Sequence, residues 1–174
     1  MTDLTVRLVT AADLPAIRDI YNHYVRTSTA TFQLEPDTEA ERLAWFRAHG
    51  ERHPATVAVF GDEVVGWASL SPWKERAAYD RTVEASVYVR QGFEHGGIGR
   101  KLLVDLIGRA KAIGHRVIIG GACTKHPASI ALQASLGFIP VGTFRAVGFK
   151  FGRWLDVTYL QLELNAGPPD ERAS

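Results

Sequence analysis

The chain has 174 residues, 46% of them hydrophobic, and its 20 basic and 19 acidic side chains leave a formal net charge of +1 at pH 7. This length can bury one sizeable core, and the balanced charge lacks the basic excess that binding to many nucleic-acid phosphates requires. No apolar run approaches the ~20 residues that span a bilayer, and a single cysteine, Cys123, excludes an intramolecular disulfide, so we expect a cytoplasmic protein without membrane or nucleic-acid partners.

The first half of the chain predicts a strand, two helices and a hairpin. LTVRLV, residues 4–9, alternates apolar and polar side chains as strands do, and Asp13 is expected to cap the helix that follows. Residues 27–38 are rich in hydroxyl groups and predict a loop. Thr38 and Glu41 have capping-box spacing ahead of a second helix, which Gly50 is expected to end. ATVAVF and VVGWASLS flank GDE, a pattern typical of a β-hairpin.

The second half predicts strands that alternate with two more helices. TVEASVYV, residues 82–89, predicts a strand, and a glycine-rich segment leads from it into a helix that Gly114 can end. RVIIGGAC predicts a buried strand, PASIALQASLG a helix, and the residues after Gly137 two final strands. The order indicates an α+β fold with a mostly antiparallel sheet. We expect one domain, residues 1–164, and a disordered tail, residues 165–174.

The segment YVRQGFEHGGIGRKLL, residues 88–103, places four glycines between a strand and a helix. Peptide N–H groups can converge at such a turn, and the helix N-terminus adds partial positive charge, so the pattern indicates an anion site. A P-loop needs Lys and then Ser or Thr after its second glycine, and a dinucleotide-binding loop needs a third glycine where Leu102 stands. Both are excluded. The alternative is a flexible turn with a helix cap.

Residues 94–99, EHGGIG, resemble the Gln/Arg-x-x-Gly-x-Gly/Ala pyrophosphate motif of the GNAT superfamily of N-acetyltransferases. TSTATFQLEP, PWKERAAYDRTVEASVYV, ASIALQASLGF and RAVGFKFGRWLDVTYLQL resemble blocks of the phosphinothricin and methionine sulfoximine acetyltransferases. Together these blocks cover the chain apart from its tail. The resemblance implies the GNAT fold, in which a mixed, mostly antiparallel sheet with splayed central strands is flanked by about four helices. It also implies acetyl-CoA as cosubstrate, no metal, and a homodimer.

The resemblance assigns the cofactor site to one strand and the loop that follows it. The pantetheine arm would pair with the backbone of Val87, Tyr88 and Val89, as an added strand pairs with a sheet edge. The pyrophosphate would lie on the amides of His95, Gly96, Gly97, Ile98, Gly99 and Arg100, and His126 would contact the arm. His126 stands where the family usually has Asn, and Glu94 replaces Gln or Arg at the start of the motif. Both departures are expected to weaken cofactor binding. Histidine cannot reproduce the paired donor and acceptor of an amide, and a carboxylate repels phosphates unless it is turned away.

Glu84 is the predicted general base. An ammonium group has no lone pair to attack a thioester, so a nearby carboxylate must accept its proton, and in the resembling family the matching glutamate does so. Without the resemblance, Glu84 would be an ordinary surface glutamate in a strand. A backbone N–H near Val87 or Tyr88 is expected to stabilise the oxyanion. Gln133 stands where many family members have a tyrosine that protonates the departing thiolate, so no general acid is assigned. Cys123 is interpreted as a small buried hydrophobic residue rather than a nucleophile.

The resemblance also assigns an acceptor site. Its candidate residues are Phe32, Lys74, Glu75, Arg76, Tyr79, Glu84, Ala85 and Ser86. Trp73 is a further candidate for the pocket wall, and Lys150, Trp154 and Asp156 could serve binding, structure or dimer contacts. The predicted function is acetyl transfer to the α-amino group of phosphinothricin, methionine sulfoximine or methionine sulfone. The alternatives are the same chemistry on another amine, such as an amino acid, a polyamine or a protein N-terminus, and a noncatalytic CoA-binding module.

Overall fold

The computed structural model of the protein describes residues 3–164, so the predicted tail lies outside the described residues. Four helices are present in this part of the chain: α1 Leu14–Thr27, α2 Glu39–Arg47, α3 Ile98–Ile113 and α4 Pro127–Ser135. Seven strands form one sheet: β1 Leu4–Leu8, β2 Ala55–Phe60, β3 Glu63–Pro72, β4 Thr82–Val89, β5 Val117–Cys123, β6 Ile139–Lys150 and β7 Arg153–Glu163. None of the helices within residues 3–164 is long and apolar enough to cross a membrane.

The strand order in the sheet is β1-β2-β3-β4-β5-β7-β6. Neighbouring strands are antiparallel except β4 and β5, which are parallel because α3 crosses from the end of one to the start of the other. A mixed, mostly antiparallel sheet with four helices confirms the predicted fold class. The predicted order of the strands and α-helices is also confirmed.

The predicted start of α1 directly after Asp13 and the capping box of α2 are confirmed, whereas the side-chain cap from Asp13 and the end of α2 at Gly50 are wrong. The Asp13 carboxylate accepts hydrogen bonds from the Arg7 guanidinium at 2.7 and 2.8 Å and from the Thr10 N–H at 2.8 Å, so it closes a short 3-10 turn instead of capping α1. Helix α2 ends at Arg47, before Gly50, and its C-cap residue, Ala48, keeps a right-handed conformation, so no glycine is needed there. At its other end the Glu41 N–H donates to the Thr38 hydroxyl at 3.2 Å.

The two faces of the sheet carry separate hydrophobic clusters. Helix α3 packs on one face, against side chains that include Val83, Ile118 and Leu160, and α1 packs on the other, around Val57 and Trp67. Because side chains alternate along a strand, β4 serves both faces. Its odd-numbered residues, from Val83 to Val89, point toward α3. Its even-numbered residues, including Glu84, Ser86 and Tyr88, point toward α1.

In the C-terminal hairpin of β6 and β7, two of the three residues whose roles the sequence left open make structural contacts. The buried Lys150 ammonium donates to the carbonyls of Ser28 and Thr31, each at 2.8 Å, so it anchors the loop after α1, and burial lowers its pKa. The Asp156 carboxylate accepts from the Ala146 N–H at 2.7 Å and holds a bulge in β6, where Ala146 has a φ of 52°. Trp154 is exposed and packs on Phe149, with ring centroids 5.0 Å apart.

Candidate active site

A cleft opens in the middle of the sheet where β4 and β5 separate. The two strands pair over three residues only, from Thr82 with Val117 to Glu84 with Ile119. Beyond that point β4 stays paired with β3 as far as Val89, and β5 stays paired with β7 as far as Cys123. Each strand is therefore held by its outer neighbour while the inner edges diverge. Glu84 lies at the point of divergence.

The backbone groups along the β4 edge of the cleft alternate in direction. The Arg90 N–H donates to Val65 at 2.8 Å, and the Trp73 N–H donates to Thr82 at 3.3 Å, which fixes the even-numbered residues of β4 as those that bond to β3. In an antiparallel pair the intervening residues turn their N–H and C=O groups the other way, here toward the cleft. Val87 and Val89 thus present backbone groups to the cleft, which is the orientation that the predicted pantetheine contact requires.

Tyr88 differs from the prediction that its backbone joins this edge. Its N–H and C=O face β3, and its ring stacks on Trp67 with centroids 4.9 Å apart. Val89 also has a partner already, because the Tyr24 hydroxyl donates to its carbonyl at 2.6 Å. Within the described residues, the β4 groups best placed for a ligand are therefore those of Val87 together with the Val89 N–H.

The glycine segment curls the chain from β4 into α3. Gly92, His95 and Gly97 all have positive φ values, of 89°, 66° and 76°, so three left-handed residues turn the backbone within six positions. The first intrahelical bond of α3 runs from the Lys101 N–H to Gly97 at 3.0 Å, which leaves the N–H groups at the helix start for an anion. These are the amides of Ile98, Gly99 and Arg100.

Two charged side chains beside this loop are already engaged. The Glu94 carboxylate accepts from the Gly92 N–H at 2.6 Å, so it is bound to its own turn. The Arg100 guanidinium donates to the Ser135 hydroxyl at 3.0 Å, at the end of α4.

His126 lies at the start of α4. Its Nε2 atom is 2.9 Å from the Thr29 hydroxyl, and burial lowers the pKa of its imidazole. His126 therefore ties α4 to the loop after α1, in addition to any contact with a cofactor.

Glu84 is half-buried on the α1 face of the cleft, and burial raises the pKa of its carboxyl group. Ser86 lies two residues further along the same face. Ala85, a predicted acceptor contact, instead packs its side chain against the α3 cluster, because it has the opposite parity in the strand. The Glu84 carboxylate thus meets the cleft from the side opposite to α3.

The other predicted acceptor residues occupy two loops. Phe32 lies against Gly148, where a Cβ atom would be 2.2 Å from its ring, so β6 supports it. The Lys74 ammonium lies 5.2 Å from the centroid of Trp73. Glu75, Arg76 and Tyr79 are exposed to solvent around a short 3-10 turn, Ala77–Tyr79. The structure brings Trp73 to the cleft face through its ring contact with Tyr159, at 5.7 Å, and leaves those three at the surface.

The model of the acetyltransferase (GNAT) family matches residues 17–138, well over half of the chain. The chain belongs to the GNAT family. It is 42% identical over 163 residues to the L-methionine sulfoximine/L-methionine sulfone acetyltransferase of Pseudomonas paraeruginosa, covering 92% of this chain and 95% of that protein. It is 38% identical, over 93% of this chain and 95% of the other, to an L-amino acid N-acyltransferase of Escherichia coli.

A GNAT phosphinothricin acetyltransferase from Sinorhizobium meliloti, solved with acetyl-CoA, superposes with a TM-score of 0.91 and 40% identity, covering 97% of this chain and 91% of that one. The protein is therefore an acetyl-CoA-dependent N-acetyltransferase of the GNAT type. Within residues 3–164 no group of three or more His, Cys, Asp or Glu side chains is arranged to hold a metal.

Two side chains that pack against β5 beside the cleft, those of Gln133 and Tyr159, have no role predicted from the sequence. Gln133 is only 8% exposed, and its Oε1 has no hydrogen-bond partner among the described residues; it lies so close to Gly120 that a Cβ there would overlap it. Tyr159 lies over Gly121, whose missing side chain makes room for its ring. The adjacent glycines of β5 were the available signal, because each leaves space for one of these side chains on opposite faces of the sheet.

Proposed function

We propose that the protein transfers the acetyl group of acetyl-CoA to the α-amino group of a small amino-acid analogue, such as methionine sulfoximine, methionine sulfone or phosphinothricin. The observation that carries this proposal is the position of Glu84, a half-buried carboxylate at the point where β4 and β5 diverge. The names of the relatives support the acceptor class. Residues 1–164 would act as one catalytic domain in the cytoplasm.

The reaction proceeds by direct attack. Glu84 accepts a proton from the acceptor ammonium, the freed amine nitrogen bonds to the acetyl carbon, and the carbon–sulfur bond breaks so that CoA leaves as a thiolate. The Val87 N–H, which faces the cleft, is placed to stabilise the oxyanion. A CoA thiol is acidic enough to leave near neutral pH without a proton donor, which is consistent with Gln133 at the position of the family tyrosine.

The pyrophosphate would lie on the amides from His95 to Arg100 and the pantetheine arm along Val87 and Val89. The bond between Glu94 and Gly92 is compatible with this placement, because it holds the carboxylate at its own turn, before the amides from His95 to Arg100. The basic Lys74, which lies beside Trp73 in the loop after β3, would meet the carboxylate of the acceptor, and the exposed Arg76 would have to turn inward from the same loop to do so.

A panel assay tests the proposal. Purified protein is incubated with acetyl-CoA and single amines, and thiol release is followed over time. We expect turnover of methionine sulfoximine, methionine sulfone or phosphinothricin to exceed that of ordinary amino acids, polyamines and peptide N-termini. Turnover of another amine alone would overturn the acceptor assignment, and CoA binding without turnover of any amine would identify a noncatalytic module.

We also propose a homodimer formed through β6 and β7. Large apolar side chains on this hairpin are more than half exposed: Ile139, Val141, Phe144, Val147, Phe149, Phe151 and Trp154. Among residues 3–164, β6 forms the edge of the sheet, so its outer backbone groups have no strand partner in this part of the chain. Exposed apolar side chains in this number along one edge of the sheet are typical of an interface on a nearly neutral chain, and a second copy is the partner that the resemblance implies.

We expect the protein to sediment at twice the 19.1 kDa mass of its chain, and Trp154→Glu to shift it to the monomer. A buried unpaired charge at an apolar interface is strongly unfavourable, whereas the same charge on a free surface is not. Leu8→Glu is the matched control, because Leu8 is also exposed but lies on β1, at the opposite edge of the sheet. A wild-type protein that sediments as a monomer at micromolar concentration would rule out this dimer.

A further inference from the structure

Tyr159 crosses the sheet toward the catalytic carboxylate. It pairs with Gly121 in the β5–β7 ladder, and a Cβ atom at Gly121 would lie 3.0 Å from Cε1 and 3.6 Å from Cζ of its ring. The ring therefore leans over β5, in the direction of β4, across space that any larger residue at position 121 would fill. Glu84 and Tyr159 lie on the same face, because Glu84 pairs with Ile119, two residues before Gly121.

Two aromatic contacts fix the orientation of this ring. Trp73 and Phe144 meet Tyr159 edge to face, each with ring centroids 5.7 Å apart. Burial and the charge of Glu84 raise the pKa of the Tyr159 hydroxyl, so the hydroxyl is neutral at physiological pH and within electrostatic reach of the carboxylate. A neutral phenol can accept a hydrogen bond from an ammonium group while a carboxylate accepts another.

We infer that Tyr159 is an acceptor-binding residue, whose hydroxyl oxygen accepts a hydrogen bond from the substrate ammonium opposite Glu84. This inference rests on the proposed function. A primary ammonium has three N–H donors, so Glu84 and Tyr159 together hold two of them and orient the nitrogen toward the cleft that separates β4 from β5. Gly121 is required because it lets the hydroxyl reach this position.

The test compares Tyr159→Phe with Gly121→Ala. Phenylalanine keeps the ring and its contacts but removes the hydroxyl, and alanine at position 121 displaces the ring by a few tenths of an ångström. We expect Tyr159→Phe to raise the KM for the acceptor by about tenfold, the effect of losing one hydrogen bond to a charged group, and Gly121→Ala to raise it by less, with the Kd for CoA unchanged in both. The double variant should be no worse than Tyr159→Phe alone, because both changes act on the same contact.

Thr158→Val is the matched control. It also removes one hydroxyl from β7, but Thr158 bonds to Thr143 at 2.8 Å and occupies the neighbouring position, on the other face of the sheet. An acceptor KM for Tyr159→Phe within about twofold of the wild type would overturn the inference while leaving the proposed function intact.

Failure of the proposed function is detected separately. If the wild type acetylates a different amine, the same variants are compared on that amine. If it acetylates none, calorimetric titration of the CoA-loaded protein with methionine sulfone measures acceptor binding directly. Weaker binding by Tyr159→Phe than by the wild type would support the role of the hydroxyl even then, and equal binding, or none to the wild type, would overturn it.

Discussion

Glu84→Gln is expected to lower kcat/KM by about 100-fold at pH 6 to 7, the range of effects seen when a general base is removed. Glutamine is nearly isosteric with glutamate and keeps a hydrogen-bonding group beside the acceptor, but it cannot take a proton. At higher pH more of the acceptor amine is already unprotonated, so the deficit should shrink. Steady-state rates of the wild type and the variant across pH 6 to 10, with acetyl-CoA saturating, measure both features.

The direction of the Glu84 pKa shift predicts where the activity of the wild type falls on the acidic side of its pH–rate profile. Burial raises the pKa of this carboxyl group, and the base acts only when ionised, so activity should fall on the acidic side at a higher pH than an ordinary glutamate would give. The activity of the variant should not show this acidic fall due to Glu84, and its pH dependence should follow the ionisation of the acceptor amine alone. A variant that matches the wild-type rate throughout the range would exclude Glu84 as the base.

Thermal stability provides the control for this substitution. Consider a carboxyl group whose pKa is higher in the folded protein than in the unfolded chain. Its contribution to the free energy of unfolding is fully present below the unfolded-state pKa and is lost as the pH rises through the folded-state pKa. The wild type therefore carries a cost for ionised Glu84 near neutral pH, and glutamine removes it. We expect the Tm of Glu84→Gln to equal or exceed that of the wild type at pH 7, so a loss of activity there cannot result from unfolding.

The sequence predicted the order of elements well because their signals are local. Alternation identified the strands, and glycines marked the turn into α3 and the left-handed ends at Gly114 and Gly137. The separation of β4 from β5 came from the resemblance alone. It depends on pairing between strands distant in the chain, which no local pattern reports.

The candidate site was predicted less completely, for related reasons. Tyr88 was expected to offer its backbone to the cofactor, but the register of β4 against β3 turns those groups away. Ala85 was expected to contact the acceptor, but side chains alternate between the two faces of a strand, and that of Ala85 packs on the α3 face. Tyr159 was missed because its ring lies over Gly121, which is 38 positions away in the sequence and becomes a neighbour only through the pairing of β5 with β7. Each outcome depends on register or on lateral contact, neither of which is encoded in a short segment.

Arg42 shows how a charged helix residue can belong to the core. It is 3% exposed, although arginine on a helix is usually solvated, and its guanidinium lies 4.8 Å from the ring centroids of Tyr21 and Trp45. The Asp37 carboxylate, at the end of the loop after α1, forms an ion pair with it. Asn22 fixes the backbone of Asp37 through bonds of 2.7 and 2.9 Å. The pair therefore joins α2 to α1 and to the loop that carries Phe32.

Asp37→Ala is expected to lower the free energy of unfolding by about 3 kcal/mol, or the Tm by roughly 10 °C for a chain of this size. The substitution leaves the Arg42 cation buried without its counter-charge, and desolvation then dominates. Chemical denaturation and calorimetry at pH 7 measure the change. The acceptor KM should rise as well, because the loop that carries Phe32 loses an anchor.

Two further variants separate the ion pair from the general effect of losing a carboxylate. Glu39→Ala removes the partner of Arg18 in an exposed pair at 3.3 Å, in which the glutamate side chain is 88% accessible, and should change stability by less than about 1 kcal/mol. Arg42→Met combined with Asp37→Ala should be more stable than Asp37→Ala alone, because methionine suits the aromatic surroundings and no charge remains unpaired. If Asp37→Ala were no more destabilising than Glu39→Ala, the buried cation would not depend on this carboxylate, and the three aromatic rings around it, those of Tyr21, Trp45 and Trp67, would have to stabilise it unaided.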